Sequence, residues 1–389
     1  MLSGGIFINF VADLSVTYSN VRRVRLLGMN RLKTAILIND TSTKAHLGCR
    51  VVVSQNARLA KSAGIRIATS ASVHTDWREH PDLLTSMRSA DLVIVNGEGT
   101  LHDGTRQASA LAEVAPFCKA AGVPSFLINS VYERNDAAIA KACQAFEKIY
   151  VRESVSGYEA RQVGLTVEVV PDLTLSSDVM KPFLGGPRTA TIIVTDNANR
   201  NVAKNAQEEA LRRNHTSFLH LDTSEPNNPF LGEGEIPDLV FMDSGMVAQA
   251  PRPSQRRQIS PIRAFRKSLF KPNMLRRMEM TRQFGEPLSS QQILSRIASA
   301  RGVIGGRFHA VCMSILSGTP FVGMSSNTSK MIGMLTDAGL TRFLADDAKI
   351  AFDKIDQWRN ADYDATAAYI QKARRDAKSM FEEIANLAN

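Results

Sequence analysis

An arginine and a histidine follow a pair of glycines in the otherwise apolar stretch RGVIGGRFHAVCMSILSGTP, residues 301–320. Gly305 and Gly306 end a short apolar run, and a helix is predicted to begin near Arg307. Backbone N–H groups at a helix N-terminus and an adjacent guanidinium form a site suited to a carboxylate or a phosphate. His309 lies in the first turn, where the helix dipole disfavours imidazolium and a bound phosphate favours it. The stretch therefore predicts an anion site.

The same residues also allow a purely structural interpretation. Arg307 would then pair with an acid across a domain interface, and His309 would be a core histidine bonded to the backbone.

A second stretch of polar residues is VNGEGTLHDG, residues 95–104, which follows an apolar run. Gly97 and Gly99 allow a tight turn in which backbone N–H groups approach an anion or a sugar. The full G-x-G-x-x-G spacing and the Lys and Ser/Thr of a P-loop are absent. The alternative is a polar turn that caps the next helix. The side chains of this loop that could serve as acid, base or hydrogen-bonding group are Glu98, His102 and Asp103.

Three further segments place polar residues after predicted strands. Arg152 in YVRES could meet a second anionic group, with Glu153 capping the next helix or pairing with the arginine; a plain ion pair explains it as well. Asp172 in VVPDLTL lines the cleft or caps a turn. Asn327 and Lys330 in SSNTSK contact ligand, or are an N-cap and a solvated lysine.

Short apolar runs alternate with helical patterns along the chain, which predicts parallel sheets covered on both faces. The fold class expected is α/β, with two doubly wound Rossmann-like domains facing a cleft, where the carboxyl ends of strands bind ligands. The runs ATIIVTD, SFLHLD and PDLVFMD are assigned to the second domain. The predicted divisions are an N-terminal extension (1–32), a first domain (33–180), a second domain (181–361) with a basic insertion (251–282), and a C-terminal helix (362–389) returning to the first domain.

The composition is that of a soluble globular protein, with 44% hydrophobic and 22% charged residues among 389. No apolar run is long enough to cross a bilayer, and no basic residue precedes the short apolar patch at the N-terminus. The four cysteines lie far apart, as expected for reduced thiols in the cytoplasm. We see no cluster of metal ligands, and predict neither a metal nor a cofactor.

The net charge of +9 is concentrated in the insertion. Residues 251–282 hold ten Lys/Arg and one acid, which leaves 37 basic and 37 acidic residues elsewhere. This distribution argues against nucleic acid as a partner and for one cationic patch. Apolar residues at helical spacing within it favour peripheral contact with the inner face of an anionic membrane; the alternative is a mobile or partner-covered loop.

Together, NGEGTLH, VRES, VVPDLTL and GGRFHAVCMSILSGTPFVGMSSNTSK resemble the polysaccharide pyruvyltransferase family. The resemblance runs from about Leu83 to Gly339, interrupted by the basic insertion. It implies a fold like that of GT-B glycosyltransferases, and transfer of a pyruvyl group from phosphoenolpyruvate (PEP) to two sugar hydroxyls with release of phosphate. It also implies that Arg307 and His309 hold PEP and manage proton transfer, with Arg152 near the donor.

Two departures from the family's pattern accompany the resemblance. The N-terminal glycine/asparagine-rich loop is replaced by NDTSTKAHLGC, and a frequent third glycine by Glu98. The sequence thus predicts a cytoplasmic PEP-dependent pyruvyltransferase that acts on a cell-envelope polysaccharide or its lipid-linked precursor. His309 would be the acid/base, and Glu98 or Asp103 would take the hydroxyl proton. The alternatives are a GT-B glycosyltransferase that uses a nucleotide sugar and a non-catalytic glycan- or anion-binding protein.

Overall fold

The computed structural model describes residues 32–242, 248–249, 287–326 and 328–388. Most of the N-terminal extension, the basic insertion and Asn327 therefore lie outside the described residues. Within the described residues, no helix is long and apolar enough to cross a membrane. The four cysteines are buried and unpaired.

The described chain forms two sheets of strands with helices between them. The strands are β1 (Lys33–Asp40), β2 (Ile65–Ser72), β3 (Leu92–Glu98), β4 (Ser125–Ser130), β5 (Lys148–Val151), β6 (Glu168–Val169), β7 (Ile192–Thr195), β8 (Thr216–Leu219), β9 (Leu239–Phe241), β10 (Ala248–Gln249), β11 (Gly302–Gly305), β12 (Phe321–Met324) and β13 (Leu344–Ala345). The helices are α1 (Leu47–Ser62), α2 (Pro81–Ser89), α3 (Arg106–Ala112), α4 (Val114–Ala121), α5 (Ala137–Cys143), α6 (Ser154–Gln162), α7 (Arg200–Leu211), α8 (Ser290–Ser299), α9 (Phe308–Ser317), α10 (Lys330–Asp337), α11 (Ala348–Ile355) and α12 (Asn360–Leu387).

The first sheet has the strand order β10-β9-β2-β1-β3-β4-β5-β6, and the second has the order β13-β12-β11-β7-β8. All neighbouring strands pair in parallel except β10 with β9. We call the first sheet with α1 to α6 the first lobe, and the second sheet with α7 to α11 the second lobe. This arrangement confirms the predicted α/β class of two Rossmann-like units.

Burial explains why the strands read as continuous apolar runs. Every residue of β3, β4, β7, β11 and β12 is buried. Such runs are expected where helices cover both faces of a parallel sheet. Because crossover helices join parallel strands, the carboxyl ends of the strands in each lobe share one edge.

The assignment of PDLVFMD to the second domain is corrected by the structure. Strand β9 lies in this run and pairs in parallel with β2 of the first sheet, with Thr69 opposite Leu239. An apolar run has the same pattern in either sheet, so periodicity alone does not tell which edge it joins.

The C-terminal helix α12 contacts the cores of both lobes. Tyr369 and Ala373 belong to a cluster with residues of the second sheet. Met380 and Phe381 pack with residues of β1 and β4. The hydroxyl of Tyr150 on β5 donates to Glu383 at 2.8 Å. The helix thus ties the two lobes together.

Candidate functional site

The sharp connection between β11 and α9 places Arg307 and His309. A Cβ atom at Gly305 would lie 2.5 Å from Cγ2 of Val311, and one at Gly306 would overlap the carbonyl oxygen of Asp196. Both positions therefore require glycine because neighbouring atoms occupy the space of a side chain. Arg307 is the N-cap of α9 and has an extended backbone.

The backbone donors expected to bind an anion are already partly engaged. The hydroxyl oxygen of Thr195 accepts the N–H groups of Gly306, at 2.9 Å, and of Arg307, at 3.2 Å. The predicted contact of Gly306 with ligand is therefore replaced by a contact with the end of β7. The guanidinium of Arg307, and not these two peptide N–H groups, remains to bind an anion.

Arg307 pairs with Asp196, which follows β7 in the same lobe. The purely structural interpretation required an ion pair across the lobe interface, and this pair does not cross it. Burial by itself would lower the pKa of Arg307, but the bond to Asp196 outweighs it and raises the pKa. The guanidinium is partly exposed, at 22% of its side-chain area, and stays charged.

His309 is buried where the first lobe meets α9. Its Nε2 atom lies 3.9 Å from Oδ1 of Asp172 and has no hydrogen-bond partner among the described residues. Its ring lies 5.5 Å from that of His46, between centroids. A Cβ atom at Gly48 would overlap the His309 ring. The first lobe thus surrounds this imidazole on several sides.

Burial lowers the pKa of His309, while the charges of Asp172 and Glu98 oppose that shift. The imidazole is therefore neutral in the unliganded protein near pH 7. A bound phosphate would add negative charge and raise the pKa.

Glu98 ends β3 with a positive φ of 38°. Its Oε1 accepts a hydrogen bond from Sγ of Cys49 at 3.1 Å, while Oε2 is buried without a partner. Burial opposes ionisation, but the charge of His309 when it is protonated, the side-chain hydrogen bonds of Thr41 and Cys49 and the charge of Lys44 lower the pKa of Glu98 to about 2. Glu98 is therefore a buried carboxylate electrostatically coupled to His309.

Arg152 and Asp172 form a buried pair in the first lobe, with Nη1 and Oδ2 3.1 Å apart. The guanidinium of Arg152 lies over the ring of Phe308, 4.5 Å from its centroid, and so reaches the second lobe. Asp172 also accepts from the N–H of Thr174, so it caps a turn as well as lining the site.

Lys330 is the first residue of α10 and is half-buried. Burial and the positive charges of Arg152 and Arg307 together lower its pKa to about 8, against the opposing charges of Glu133 and Glu98. Three cations from β5, α9 and α10 therefore act on one region. Such a concentration of positive charge favours an anionic ligand with more than one charged group.

Gly97, Gly99 and Asn327 are also predicted to contact ligand. A Cβ atom at Gly97 would overlap the Ser130 side chain, so Gly97 permits packing. A Cβ atom at Gly99 would lie 3.9 Å from Nη2 of Arg152, so this glycine borders the cationic region. Asn327 lies outside the described residues.

Asp103 is not brought to His309. Its carboxylate is half-exposed and lies 2.7 Å from Nε of Arg134 and 2.7 Å from Nδ1 of His102. Arg134 and His102 lower the pKa of Asp103 to about 2. The loop turns both side chains toward the surface of the first lobe, and His102 lines a pocket there.

His46 and Gly48 are site residues that the sequence interpretation left unassigned within NDTSTKAHLGC. His46 caps α1, with Nδ1 accepting the N–H of Cys49 at 3.5 Å. Burial and the charges of His309 and Arg307 hold its pKa well below the usual value. The signal available in the sequence was a polar loop directly after β1, which ends beside β3.

Two hydrogen-bonded contacts with the first lobe hold α10 in place, one through Glu133 of that lobe and one through Asp337 at the end of α10. Glu133 accepts hydrogen bonds from the N–H and hydroxyl of Ser329, at 2.8 and 2.9 Å. The N–H of Ser154 donates to Asp337 at 2.9 Å. These contacts fix Lys330 opposite Arg152. Chemically, the site offers cations for an anion and the pair of His309 and Glu98 for proton transfer.

Comparisons with known proteins bear on this arrangement. Residues 251–328 match the family model of polysaccharide pyruvyl transferase, a segment that includes β11, α9 and β12. The match supports the family that the sequence resembles. No curated protein sequence matches the chain significantly.

Solved structures with a similar arrangement are distant in sequence. A UDP-forming α,α-trehalose-phosphate synthase from Burkholderia vietnamiensis is 10% identical over 90% of this chain and 98% of its own, with a TM-score of 0.47. The S. aureus MnaA–UDP co-structure is 9% identical over 90% of this chain and 94% of its own, also with a TM-score of 0.47.

Proposed function

We propose that this chain transfers the pyruvyl group of PEP to two hydroxyls of one sugar in a surface polysaccharide or its lipid-linked precursor. The products are a pyruvyl ketal and phosphate. The observation that carries the proposal is the placement of Arg152, Arg307 and Lys330 around the acid–base pair of His309 and Glu98. The match to the pyruvyl transferase family model supports it.

The cationic cluster suits the donor because PEP carries a carboxylate and a phosphate on adjacent parts of a small molecule. Arg152 and Arg307 each present a planar guanidinium that can hold either group through two hydrogen bonds. Lys330 supplies a point charge between them. Burial of the cluster strengthens these interactions relative to water.

The first step adds one sugar hydroxyl to C2 of PEP. The C2–C3 double bond takes a proton at the methylene carbon from His309, and Glu98 takes the hydroxyl proton. The charge of a protonated His309 is one of the effects that lower the pKa of Glu98. When the imidazole gives up its proton, that charge is lost, so Glu98 becomes a stronger base at the moment it is needed.

The second step forms the ketal. The second hydroxyl of the same sugar attacks C2 as the C2–O bond to phosphate breaks, and its proton leaves with the phosphate. The Arg152 and Arg307 guanidinium groups stabilise the charge that grows on the departing phosphate. The proton on Glu98 then returns to His309 through solvent, which restores both groups. In net, one hydroxyl proton ends on the new methyl group and the other on inorganic phosphate.

The test is incubation of the protein with labelled PEP and a panel of glycan precursors. We expect release of phosphate together with a glycan that carries an added pyruvyl ketal, detected by mass spectrometry. Release of nucleotide from a sugar nucleotide, with PEP untouched, would instead identify a glycosyltransferase. Glycan binding without turnover on any acceptor would indicate a non-catalytic binding protein.

Peripheral contact with the inner face of a membrane through residues 251–282 is a further part of the proposal. Its support is the excess of ten basic residues over one acidic residue in that segment. Flotation with liposomes that contain anionic lipid should recover the wild-type protein, and neutralising Arg263, Arg266 and Lys267 should reduce recovery. Equal recovery of both proteins would exclude this contact.

A further inference from the structure

A polar groove extends from Glu98 across the first lobe, away from the cationic cluster. It consists of two pockets with volumes of about 380 and 220 Å³. His74, Thr100 and Gln107 line both pockets, so the two adjoin each other. Glu98 lines the smaller pocket. The groove therefore begins at the base that the proposed reaction uses.

The floor of the groove is formed by the ends of three adjacent strands, each with an unusual backbone. Asn39 at the end of β1, His74 just after β2 and Glu98 at the end of β3 have φ values of 67°, 68° and 38°. Left-handed backbone at residues other than glycine is uncommon and costs free energy. Such residues concentrate at binding and catalytic sites, where the conformation directs a side chain to a ligand.

The larger pocket has no excess of positive charge. Asp76 lies 2.7 Å from Arg78 and 3.2 Å from Arg106, and Glu79 lies 3.8 Å from Arg106, in each case between a carboxylate oxygen and a guanidinium nitrogen. Arg78 also pairs with Glu113 at 2.6 Å, so three carboxylates share two guanidinium groups. The groove thus lacks the additional cation that Lys330 provides beside the ion pairs of Arg152 with Asp172 and of Arg307 with Asp196.

The remaining groups in the groove are hydrogen-bonding amides and hydroxyls next to a small apolar area. The amides are that of Gln107 and that of Asn39, whose Nδ2 already donates to the carbonyl of Asn96 at 2.6 Å. Ala110 and Leu111 supply the apolar area. Sugars present hydroxyl groups around their rim and C–H groups on their faces. A surface with this mixture and without an excess of positive charge suits a neutral carbohydrate better than a second anion.

We infer that this groove binds a neutral oligosaccharide acceptor, with the sugar to be modified at Glu98 and the next sugars extending toward Asp76. The inference rests on the proposed function for its orientation, since Glu98 is the base of that reaction. The larger pocket falls within the range of about 300–1,000 Å³ that is usual for small-molecule sites. The volume beyond Glu98 accommodates more than the sugar being modified.

The test uses Gln107→Trp, because Gln107 lines both pockets and is exposed on α3, where a larger side chain fills the passage without entering the core. The matched control is Gln162→Trp, at an exposed position at the end of α6. Binding of wild type and both variants is measured on an array of neutral and anionic oligosaccharides, and binding of PEP is measured separately by calorimetry.

We expect the wild type and Gln162→Trp to retain the same neutral oligosaccharides, and Gln107→Trp to bind them about tenfold or more weakly. All three proteins should bind PEP equally. No bound glycan, retention of anionic glycans alone, or equal binding by Gln107→Trp would overturn the groove assignment while leaving PEP turnover open to its own test. Glycan binding that Gln107→Trp weakens, without PEP binding, would support the groove and exclude the proposed reaction.

Discussion

At the scale of single residues, the site depends on two buried polar atoms, Nε2 of His309 and Oε2 of Glu98. Neither has a hydrogen-bond partner among the described residues. A buried polar atom without a partner costs about 1–3 kcal/mol. Both atoms lie where three cations act on one region, so a ligand that enters can satisfy them.

His309→Asn removes the proton donor while keeping a polar side chain of smaller size. We expect kcat to fall by a factor of about 10²–10⁴, the usual contribution of general acid–base catalysis. The Kd for PEP should change little because Arg152, Arg307 and Lys330 remain. Phosphate release under saturating substrates and calorimetry with PEP measure the two quantities.

The matched control for this change is His215→Asn. His215 is exposed before β8 and has a φ of 57°, a conformation that asparagine tolerates. The control should keep wild-type kcat and PEP affinity. An unchanged kcat in His309→Asn, or equal losses in both variants, would contradict the assignment of His309 as the acid.

Lys330 gives PEP binding a dependence on pH. Burial, Arg152 and Arg307 lower its pKa to about 8, so the free protein loses this charge as pH rises through 8. The phosphate of PEP has its second pKa near about 6 and stays doubly charged in that range. We expect the Kd for PEP to rise by up to about tenfold per pH unit above 8, measured by calorimetry between pH 7 and 9.

Lys330→Arg isolates the cause of this slope, because a guanidinium remains charged throughout the range. The variant should bind PEP with an affinity that is nearly constant from pH 7 to 9. Lys349→Arg, at an exposed position in α11, should keep the wild-type slope. A flat wild-type profile would show that Lys330 does not contact the anion.

At the scale of helices and strands, the sequence predicts the elements whose formation does not depend on which other elements they pack against. Buried strands and the helix after Gly306 follow from apolar periodicity and glycine placement. The sheet edge at which β9 pairs cannot be predicted in this way, because the same apolar run fits either sheet. Likewise, Thr195 reaches the N–H groups of Gly306 and Arg307 from a different strand, and no local pattern indicates that contact.

The candidate site shows the same division. The sequence predicts Arg152, Asp172 and Lys330 as site residues because they follow strands, and parallel strands bring their carboxyl ends together. The sequence does not single out His46 and Gly48, since both belong to the site through contact with the ring of His309, which is far from them in sequence. Contacts between the lobes are determined by tertiary packing, so the periodicity of the sequence does not predict them.

Gly48→Ala tests the close approach of α1 and α9. Alanine is intrinsically better than glycine inside a helix by about 1 kcal/mol, so local propensity alone would stabilise the protein. A methyl group here, however, overlaps the His309 ring. We expect a free energy of unfolding lower by about 1 kcal/mol or more, in line with overpacked cores, together with reduced kcat. Urea unfolding and phosphate release measure these effects.

Gly186→Ala is the control, since nothing lies within 4 Å of a Cβ atom at that position. It should leave both unfolding and kcat unchanged. Increased stability with full activity in Gly48→Ala would show that the His309 ring does not need this space.

At the scale of the whole molecule, the two lobes supply different parts of one site. The first lobe contributes Arg152, Asp172 and Glu98, and the second contributes His309 and Lys330. The bonds of Glu133 to Ser329 and of Ser154 to Asp337 hold α10 against the first lobe. The distance between the lobes therefore sets the spacing of the cations that receive the donor.

Gly333→Ala tests this dependence. Gly333 lies on the face of α10 that meets Glu153, and a Cβ atom there would lie 2.7 Å from Cδ of Glu153. Glu153 is fully buried and caps α6, so it has little freedom to move aside. The methyl group should push α10 outward and move Lys330 away from Arg152. Because binding depends on the spacing of charged groups, we expect the affinity for PEP, measured by calorimetry, to fall about tenfold.

Ile332→Ala provides the comparison on the same helix, since Ile332 is 42% exposed and faces away from Glu153. It should keep wild-type PEP affinity, while small-angle scattering shows a larger radius of gyration for Gly333→Ala alone. If Gly333→Ala binds PEP as tightly as Ile332→Ala does, the position of α10 does not determine PEP binding, and the anion must be held by Arg152 and Arg307 without Lys330.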